Sequence, residues 1–268
     1  MKIYFLTYGD NNFYLSKKNL CYLAEESGLF NQVISLGPKD LGKEFKKEFK
    51  NVLNKPIGGG YWIWKYKIIK ELLNQINKND IVIYCDAGAS LNISPKATVR
   101  FKEYINIISS KDVSQLRMKC EDHFIEKYYT NKKLFDYFKV TTDSKIGTST
   151  QLQAGHQFYK KNDETMSYFD DYSKVVSSDY NLITDFYSSE KQINGFIEHR
   201  HDQSIFSILS KMYKAYIIEN ETEFRTKPSM QYDYPFLSVR SYGHGKRDYF
   251  RYFFNRNKFL SKTIYFKD

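Results

Sequence analysis

The stretch "NDIVIYCDAGASLN", residues 79–92, decides the fold that we expect for this chain. An uninterrupted apolar run from Ile81 to Cys85 predicts a buried strand, and the run ends at Asp86. Two small residues follow, which leaves room for another group close to the main chain. A carboxylate at the tip of a buried strand is costly to desolvate unless a cation, helix N–H groups or a metal ion meets it. Asp86 is therefore either a turn or helix-capping residue or an acid that binds a ligand.

Strands and helices alternate on the N-terminal side of this stretch. Residues 2–8 and 32–37 have strand patterns, residues 15–27 have helical spacing, and a helix is expected over residues 61–77 after a glycine-rich loop. Such alternation is typical of a parallel sheet with crossover helices. We predict an α/β fold with a Rossmann-like, mixed but mainly parallel central sheet flanked by helices. Ligands bind beyond the carboxyl ends of the strands in open sheets of this kind, which is where Asp86 lies.

The second half of the chain mixes helices with one strand. We predict a strand over residues 149–161 that carries small residues near its middle. We predict helices over residues 98–109, 132–140, 166–178 and 198–219. The last of these begins with a polar cluster, "RHDQS", so polar side chains are expected to gather at a helix N-terminus.

The chain has 268 residues and a net charge of +10, and we expect one catalytic domain over residues 1–245 followed by a basic, aromatic tail over residues 246–268. The charge favours an anionic partner, which is nucleic acid, a phospholipid surface or a phosphorylated small molecule. The three cysteines form no CxxC pair, and no apolar run is long enough to span a membrane. We therefore expect a cytoplasmic protein without structural zinc.

Several short motifs occur in an order that resembles a known family. They are "YGDNN" at the end of the first strand, a lysine-bearing helix before Asp86, "QAGHQFYKK" from Gln153, "RHDQSIFSIL" and a late "GHGK". From residue 3 to about residue 250 the chain is similar to A-type-fold (GT-A) nucleotide-sugar glycosyltransferases, closest to the retaining glycogenin-like and lipooligosaccharide galactosyltransferase-like group. The resemblance implies a metal-dependent hexosyltransferase. It would move a sugar from a UDP-sugar to a hydroxyl of a glycan or lipid-linked acceptor, with retention.

The resemblance also implies roles for individual residues. Asp202 and Gln203 would be catalytic, because Asp202 would bind hydroxyls of the transferred sugar and Gln203 would lie near its anomeric carbon. Asp86 and His244 would hold Mn²⁺ or Mg²⁺, which suits an oxygen-rich site completed by one imidazole. The residues around the donor would be Thr7, Tyr8, Asp10, Asn12, Lys65, Asp86, Ala87, Gly88, Gln153, Ala154, Gly155, Gly245 and Lys246.

Within this set, the residues from Thr7 to Asn12 would line the nucleoside pocket, Lys65 would face a phosphate or the sugar, and Lys246 would hold the diphosphate. Gly88 departs from the family, because the second metal-binding acid usually stands at that position. His156 is expected to be a surface residue at a strand end.

Each of these residues also has a purely structural interpretation. Asp10 can end the first strand in an Asx turn, Asp202 can cap a helix, His244 can lie in a turn, and the glycines before Lys65 can form a flexible turn.

Two other functions compete with sugar transfer. The basic and aromatic segment "KRDYFRYFFNRNKF" would suit a single-stranded nucleic-acid-binding module, but the bases are spread along the chain and no RNA-recognition signature occurs. We therefore expect no nucleic-acid partner. An aspartate-nucleophile phosphatase would need the motif D-x-D-x-[TV]. Here Gly88 occupies the position of the second aspartate, so that acid is missing. The same tail residues would instead suit an anionic membrane surface, which predicts a peripheral cytoplasmic enzyme.

Overall fold

The computed structural model describes residues 1–110, 112–223 and 233–239, and its centre is a mixed sheet whose strands follow the order β2-β1-β3-β6-β5-β7. The pairs β1–β2, β1–β3 and β5–β7 are parallel, and β6 is antiparallel to both of its neighbours. The predicted α/β class is therefore confirmed. The strands are β1 (Ile3–Tyr8), β2 (Gln32–Leu36), β3 (Ile81–Asp86), β5 (Gln115–Met118), β6 (His156–Lys160) and β7 (Tyr216–Ile218), with β4 (Ser90–Leu91) and β8 (Phe236–Leu237) pairing separately.

Helices cover both faces of the sheet. Polar side chains begin several of them: Ser94 accepts a hydrogen bond from the Ala97 N–H, with Pro95 next to it, and Asn162 accepts one from Thr165. The helices are α1 (Tyr14–Ser27), α2 (Lys43–Glu48), α3 (Lys50–Leu53), α4 (Gly58–Tyr61), α5 (Trp64–Gln75), α6 (Pro95–Ser109), α7 (Glu126–Tyr129), α8 (Lys132–Phe138), α9 (Lys145–Thr148), α10 (Asp163–Ser178) and α11 (Asp202–Met212).

The central strand β3 is buried on both faces, which explains its uninterrupted apolar run. Val82 and Tyr84 belong to a core shared with α5, α10 and α11. Ile83 and Cys85 point to the other side and belong to a core shared with α1 and α6. Asp86 is the last residue of the strand and its only charged one, because the chain leaves the double-sided core there.

Several predicted segments differ in extent from the structure, and α6 and α10 begin earlier than predicted, at Pro95 and Asp163. The helix expected from residue 61 begins at Trp64, because every residue from Gly58 to Trp62 has a positive φ, which a right-handed helix does not allow. The strand expected over residues 149–161 is regular only over β6; before it, Leu152 makes an isolated bridge. The helix expected over residues 198–219 ends at Met212, and β7 follows.

Strand β5 was absent from the sequence prediction, because its pattern is interrupted by a charged residue. Arg117 is nevertheless fully buried, and its guanidinium donates to Gln157 Oε1 and the Tyr159 hydroxyl, both at 2.7 Å, and to the Gln153 carbonyl at 2.8 Å. These partners come from β6 and the segment before it, so the hydrogen bonds that make the burial tolerable are visible only in the fold. Among the described residues, no helix has the length and apolar character needed to cross a membrane.

Candidate functional site

Asp86 ends β3 at the carboxyl edge of the sheet, with its side chain 42% exposed. Its Oδ1 accepts a hydrogen bond from the Tyr84 hydroxyl at 2.7 Å and lies 3.1 Å from Lys65 Nζ. Its main chain forms a turn, because the Ala89 N–H donates to the Asp86 carbonyl at 2.9 Å. Asp86 is therefore a turn residue by its backbone and a paired, partly accessible acid by its side chain.

Gly155 allows close packing beside this carboxylate. A Cβ placed on Gly155 would lie 3.2 Å from Asp86 Oδ2, which is tighter than an ordinary van der Waals contact. The Gly155 carbonyl also accepts a hydrogen bond from the Asp86 N–H at 2.9 Å. A glycine is therefore the residue that lets the chain before β6 approach the tip of β3.

Lys65 joins the two acids of the site. It lies near the start of α5, is 2% exposed, and its Nζ is 3.1 Å from Asp86 Oδ1, 2.7 Å from Asp202 Oδ2 and 3.2 Å from the Ala154 carbonyl. Lys65 therefore donates a hydrogen bond to the Ala154 carbonyl and lies within ion-pair distance of both carboxylates. Burial by itself lowers the pKa of Lys65, but the two carboxylates outweigh it and raise that pKa, so the lysine is charged.

Asp202 is the first residue of α11 and is buried. Burial raises the pKa of Asp202, and the charge of Lys65 opposes that shift. The residue at the cap position is His201, with a φ of 53°, so the interpretation of Asp202 as the helix cap is wrong. The carboxylate nevertheless lies in the first turn of the helix, where the helix dipole favours a negative charge. Lys65 and Asp202 thus form a buried ion pair, and Asp86 places a second, partly exposed carboxylate beside Lys65.

Gln203 follows Asp202 and is half-buried. Its Nε2 donates to Gln151 Oε1 at 2.8 Å, and Gln151 is fully buried beneath it. Asp202 therefore contacts Lys65, which also contacts Asp86, whereas Gln203 contacts Gln151; the catalytic roles of Asp202 and Gln203 stay predictions.

The residues predicted for the nucleoside pocket lie at the end of β1, directly beside β3, where Tyr8 pairs with Asp86. Thr7 and Tyr8 have buried side chains, and the Tyr8 ring stacks on Trp64 at a centroid distance of 3.8 Å. Asp10 accepts a hydrogen bond from the Asn12 N–H at 2.9 Å and so makes the Asx turn that the sequence allowed. Only Asp10 and Asn12 of this group present side chains toward solvent.

The segment before β6 contributes main-chain groups more than side chains. Gln153 Nε2 donates to the Lys119 carbonyl and Gln153 Oε1 accepts from Thr222, both at 2.9 Å, so this side chain is held away from Asp86. The Ala154 carbonyl accepts from Lys65. The expectation that His156 is a surface residue is wrong: it is 2% exposed, and burial lowers its pKa to about 4.

The acids of the described residues do not by themselves form a divalent-cation site. No group of three or more His, Cys, Asp or Glu side chains in that part of the chain is arranged to hold a metal. Asp86 Oδ1 is already committed to Tyr84 and Lys65, which leaves Oδ2 as its accessible oxygen. Gly88 supplies no second carboxylate. The other predicted ligand, His244, lies outside the described residues, as do the predicted diphosphate residues Gly245 and Lys246.

Solved structures of glycosyltransferases align with this chain. A glycosyltransferase involved in the glycosylation of the major capsid of PBCV-1 aligns with a TM-score of 0.52 and 11% identity, over 93% of this chain and 98% of that one. Mouse xyloside xylosyltransferase 1 aligns with a TM-score of 0.45 and 12% identity, over 82% and 85%. The galactosyltransferase LgtC, in complex with donor and acceptor sugar analogs, aligns with a TM-score of 0.41 and 14% identity, over 84% and 74%.

The first of these likenesses confirms the predicted GT-A-type fold. At 11% identity the likeness concerns the fold alone. No family model and no curated protein sequence matches the chain.

Sequence reasoning missed three residues that shape the site. Tyr84 looks like an ordinary strand residue, and its hydroxyl holds Asp86. Gln151 lies in a segment predicted only as part of a strand, and Glu126 lies in a segment for which no element was predicted. Both are fully buried, and Gln151 contacts both Glu126 and Gln203. A sequence signal existed only for Tyr84, because residues two apart on a strand lie on the same face.

Proposed function

We propose that this protein is a retaining glycosyltransferase that moves a hexose from a UDP-sugar to a hydroxyl of a glycan or lipid-linked acceptor. The observation that carries the proposal is the buried lysine that holds Asp86 and Asp202 together at the carboxyl edge of the sheet. The GT-A-type fold supports it, because open sheets bind ligands at this edge.

The charge of the site suits a sugar in the transition state of transfer. Cleavage of a glycosidic bond builds positive charge on the anomeric carbon, and two carboxylates with one lysine leave a net negative charge to stabilise it. Because Lys65 is buried between the two carboxylates, its proposed role is to fix both acids in place before the donor arrives. The contact between Lys65 and the donor, which the resemblance implies, stays a prediction.

The donor would lie across the ends of β1 and β3. Asp10 and Asn12 are the exposed polar groups nearest the nucleoside end, and Asp202 accepts hydrogen bonds from hydroxyls of the transferred sugar. Gln203 lies beside the anomeric carbon. The bond between that carbon and the diphosphate oxygen breaks, UDP leaves with the electron pair, and the acceptor oxygen forms the new bond on the same face. The hydroxyl proton of the acceptor passes to the departing diphosphate.

The proposal keeps the predicted Mn²⁺ or Mg²⁺ ion as a component to be tested. Asp86 Oδ2 is the oxygen of the described residues that could join such a site, and His244 would have to complete it. Gly245 and Lys246 are proposed to hold the diphosphate. The tail over residues 246–268 is proposed to bring the catalytic domain, residues 1–245, to an anionic cytoplasmic membrane that carries the acceptor.

The test is release of UDP from UDP-glucose, UDP-galactose and UDP-N-acetylglucosamine, with GDP-mannose as the nucleotide control, each with and without Mn²⁺. We expect release from at least one UDP-sugar and a loss of roughly 100-fold or more in Asp202→Asn, because a carboxylate acting in the transition state is removed. Asp163→Asn is the matched control, since Asp163 lies in the first turn of another helix, α10, with its side chain 98% exposed. No release of UDP from any donor, or equal rates in both variants, would refute the proposal.

A further inference from the structure

The carboxamide of Gln203 has two different ends, and the hydrogen-bond network decides which one faces Gln151. Gln203 Nε2 donates to Gln151 Oε1 at 2.8 Å, and Gln203 Oε1 has no partner among the residues that the structure describes. The oxygen and nitrogen of an amide are similar in shape, so their placement has to follow from the donors and acceptors around them. The orientation of Gln203 therefore depends on that of Gln151.

Gln151 is surrounded by acceptors on one side. Its Nε2 lies 2.9 Å from Glu126 Oε1, 3.1 Å from the Tyr129 carbonyl, 3.0 Å from Thr130 Oγ1 and 3.3 Å from Ser204 Oγ. The Thr130 hydroxyl donates its own hydrogen to Glu126, and the Ser204 hydroxyl donates to Tyr129, so both oxygens are acceptors toward Gln151. Turning the Gln151 amide would place its oxygen against a carboxylate and a carbonyl in a dry interior.

A buried ion pair fixes the strongest of these acceptors. Glu126 is fully buried in α7, and its Oε2 lies 2.7 Å from Lys211 Nζ of α11 and also accepts from the Ser207 hydroxyl. With Thr130 and Gln151 on Oε1, both oxygens of Glu126 have donors. These donors hold Glu126 in place as an acceptor and keep the NH₂ of Gln151 turned toward its Oε1.

We propose that Gln151, held by the buried Glu126–Lys211 pair, is a positioning residue that makes Gln203 present its carbonyl oxygen to the transferred sugar. The proposal rests on the proposed function and adds the residues that fix the orientation of the Gln203 amide. A free carbonyl oxygen accepts a hydrogen bond from a sugar hydroxyl and interacts favourably with positive charge on the anomeric carbon. An NH₂ group at the same place would do neither.

The decisive variant is Gln203→Glu. Its ionised carboxylate would face the oxygen of Gln151, whereas the protonated acid can donate to that oxygen and still offer a carbonyl to the sugar. UDP release from the best UDP-sugar should therefore fall as pH rises through a raised carboxyl pKa. In Gln151→Met/Gln203→Glu no carbonyl oxygen faces the carboxylate. The pH midpoint of the fall in UDP release should therefore lie about one pH unit or more below that of Gln203→Glu. The wild-type enzyme should show no such step.

A second readout does not depend on catalysis. The melting temperature of Gln203→Glu should drop relative to wild type as pH rises from 5 to 8, and Gln151→Met/Gln203→Glu should show no such drop relative to Gln151→Met. Gln75→Glu adds the same charge at an exposed position of α5 and is the control. The other titratable groups of the region, which are the same in all variants, are Lys65, Asp86, Glu126, Arg200, His201, Asp202 and Lys211.

The two proposals fail in different ways. If the wild-type protein releases no UDP, the proposed function fails. The melting temperatures still test the orientation of Gln203, because they do not depend on activity. If wild type is active but the single and double variants share one pH midpoint, or Gln203→Glu matches wild type at pH 8, the inference about Gln151 is overturned.

Discussion

Replacement of Lys65 by methionine tests the centre of the site, because it removes one cation and keeps the length of the side chain. Lys65 and Asp202 have side chains that are 2% and 6% exposed, so water cannot take the place of the lost partner. Breaking a buried ion pair on one side costs about 3–5 kcal/mol, because the remaining charge has no compensation. Asp86, with a side chain 42% exposed, is screened by solvent and should add little to this cost. We expect Lys65→Met to be less stable than wild type by about 3–5 kcal/mol at pH 7.

The sign of the pH dependence follows from Asp202. Burial already raises the pKa of its carboxyl, and the variant removes the opposing charge of Lys65, so this pKa rises further. A folded-state pKa above the unfolded value means that stability is lost as pH rises through the folded pKa. The stability deficit of Lys65→Met should therefore be largest near neutral pH and should shrink as pH falls toward the ordinary aspartate pKa, at about 4.

Urea unfolding at several pH values between 4.5 and 8 measures the stability deficit of Lys65→Met. Lys67→Met is the matched control, since Lys67 lies on the same helix with its side chain 33% exposed and pairs only with Glu71. Lys65→Met/Asp202→Asn should recover much of the loss, because no unpaired buried charge remains. A deficit below about 1 kcal/mol for Lys65→Met, or one that is the same at every pH, would show that Lys65 and Asp202 do not form a buried ion pair.

Four further outcomes are expected. Asp86→Asn should lower UDP-sugar turnover by roughly 100-fold or more with an unchanged circular dichroism spectrum, and wild-type turnover would make Asp86 only a turn residue. His244→Ala and Lys246→Ala should each weaken UDP binding in calorimetry by roughly 1–3 kcal/mol, and unchanged affinities would remove both from the donor site. His156 should stay neutral from pH 8 down to pH 5 in NMR titration, because burial lowers its pKa to about 4; a midpoint near 6.5 would mean that it is solvated. Vesicles that contain anionic lipid should bind the full chain but not a chain that lacks residues 246–268, and the binding should weaken with salt; equal binding of both would exclude the tail.

Strands β1, β2, β3 and β6 and the larger helices could be predicted because their signals are local. The apolar run of β3 and the spacing of α1 each depend on neighbours within a few positions. Strand β5 could not be predicted in the same way. Its buried Arg117 contradicts the apolar pattern, and the partners that satisfy it lie about 40 positions away, on β6.

The sequence predicted which polar residues lie at the ends of strands and helices near the candidate site. It did not predict which of these residues contact one another. Asp86 stood out because a carboxylate at a buried strand tip needs a partner, and the sequence did not say which. Of the three lysines in "WKYKIIK", only Lys65 is buried, while Lys67 and Lys70 have side chains 33% and 22% exposed. The rotation of α5 about its own axis determines which of these lysines faces the core.

By itself, the amino-acid sequence determined that this chain forms an α/β fold with an acid at the carboxyl edge of its sheet, because hydrophobic periodicity and strand ends are properties of neighbouring residues. The tertiary structure decided which groups meet that acid. Lys65 contacts a carbonyl 89 positions further along the chain, and Gln203 contacts Gln151 from 52 positions away. Such partners are chosen by the packing of α5, α11 and β6 against one another, since a buried charge or amide is stable only where the whole fold supplies its hydrogen bonds.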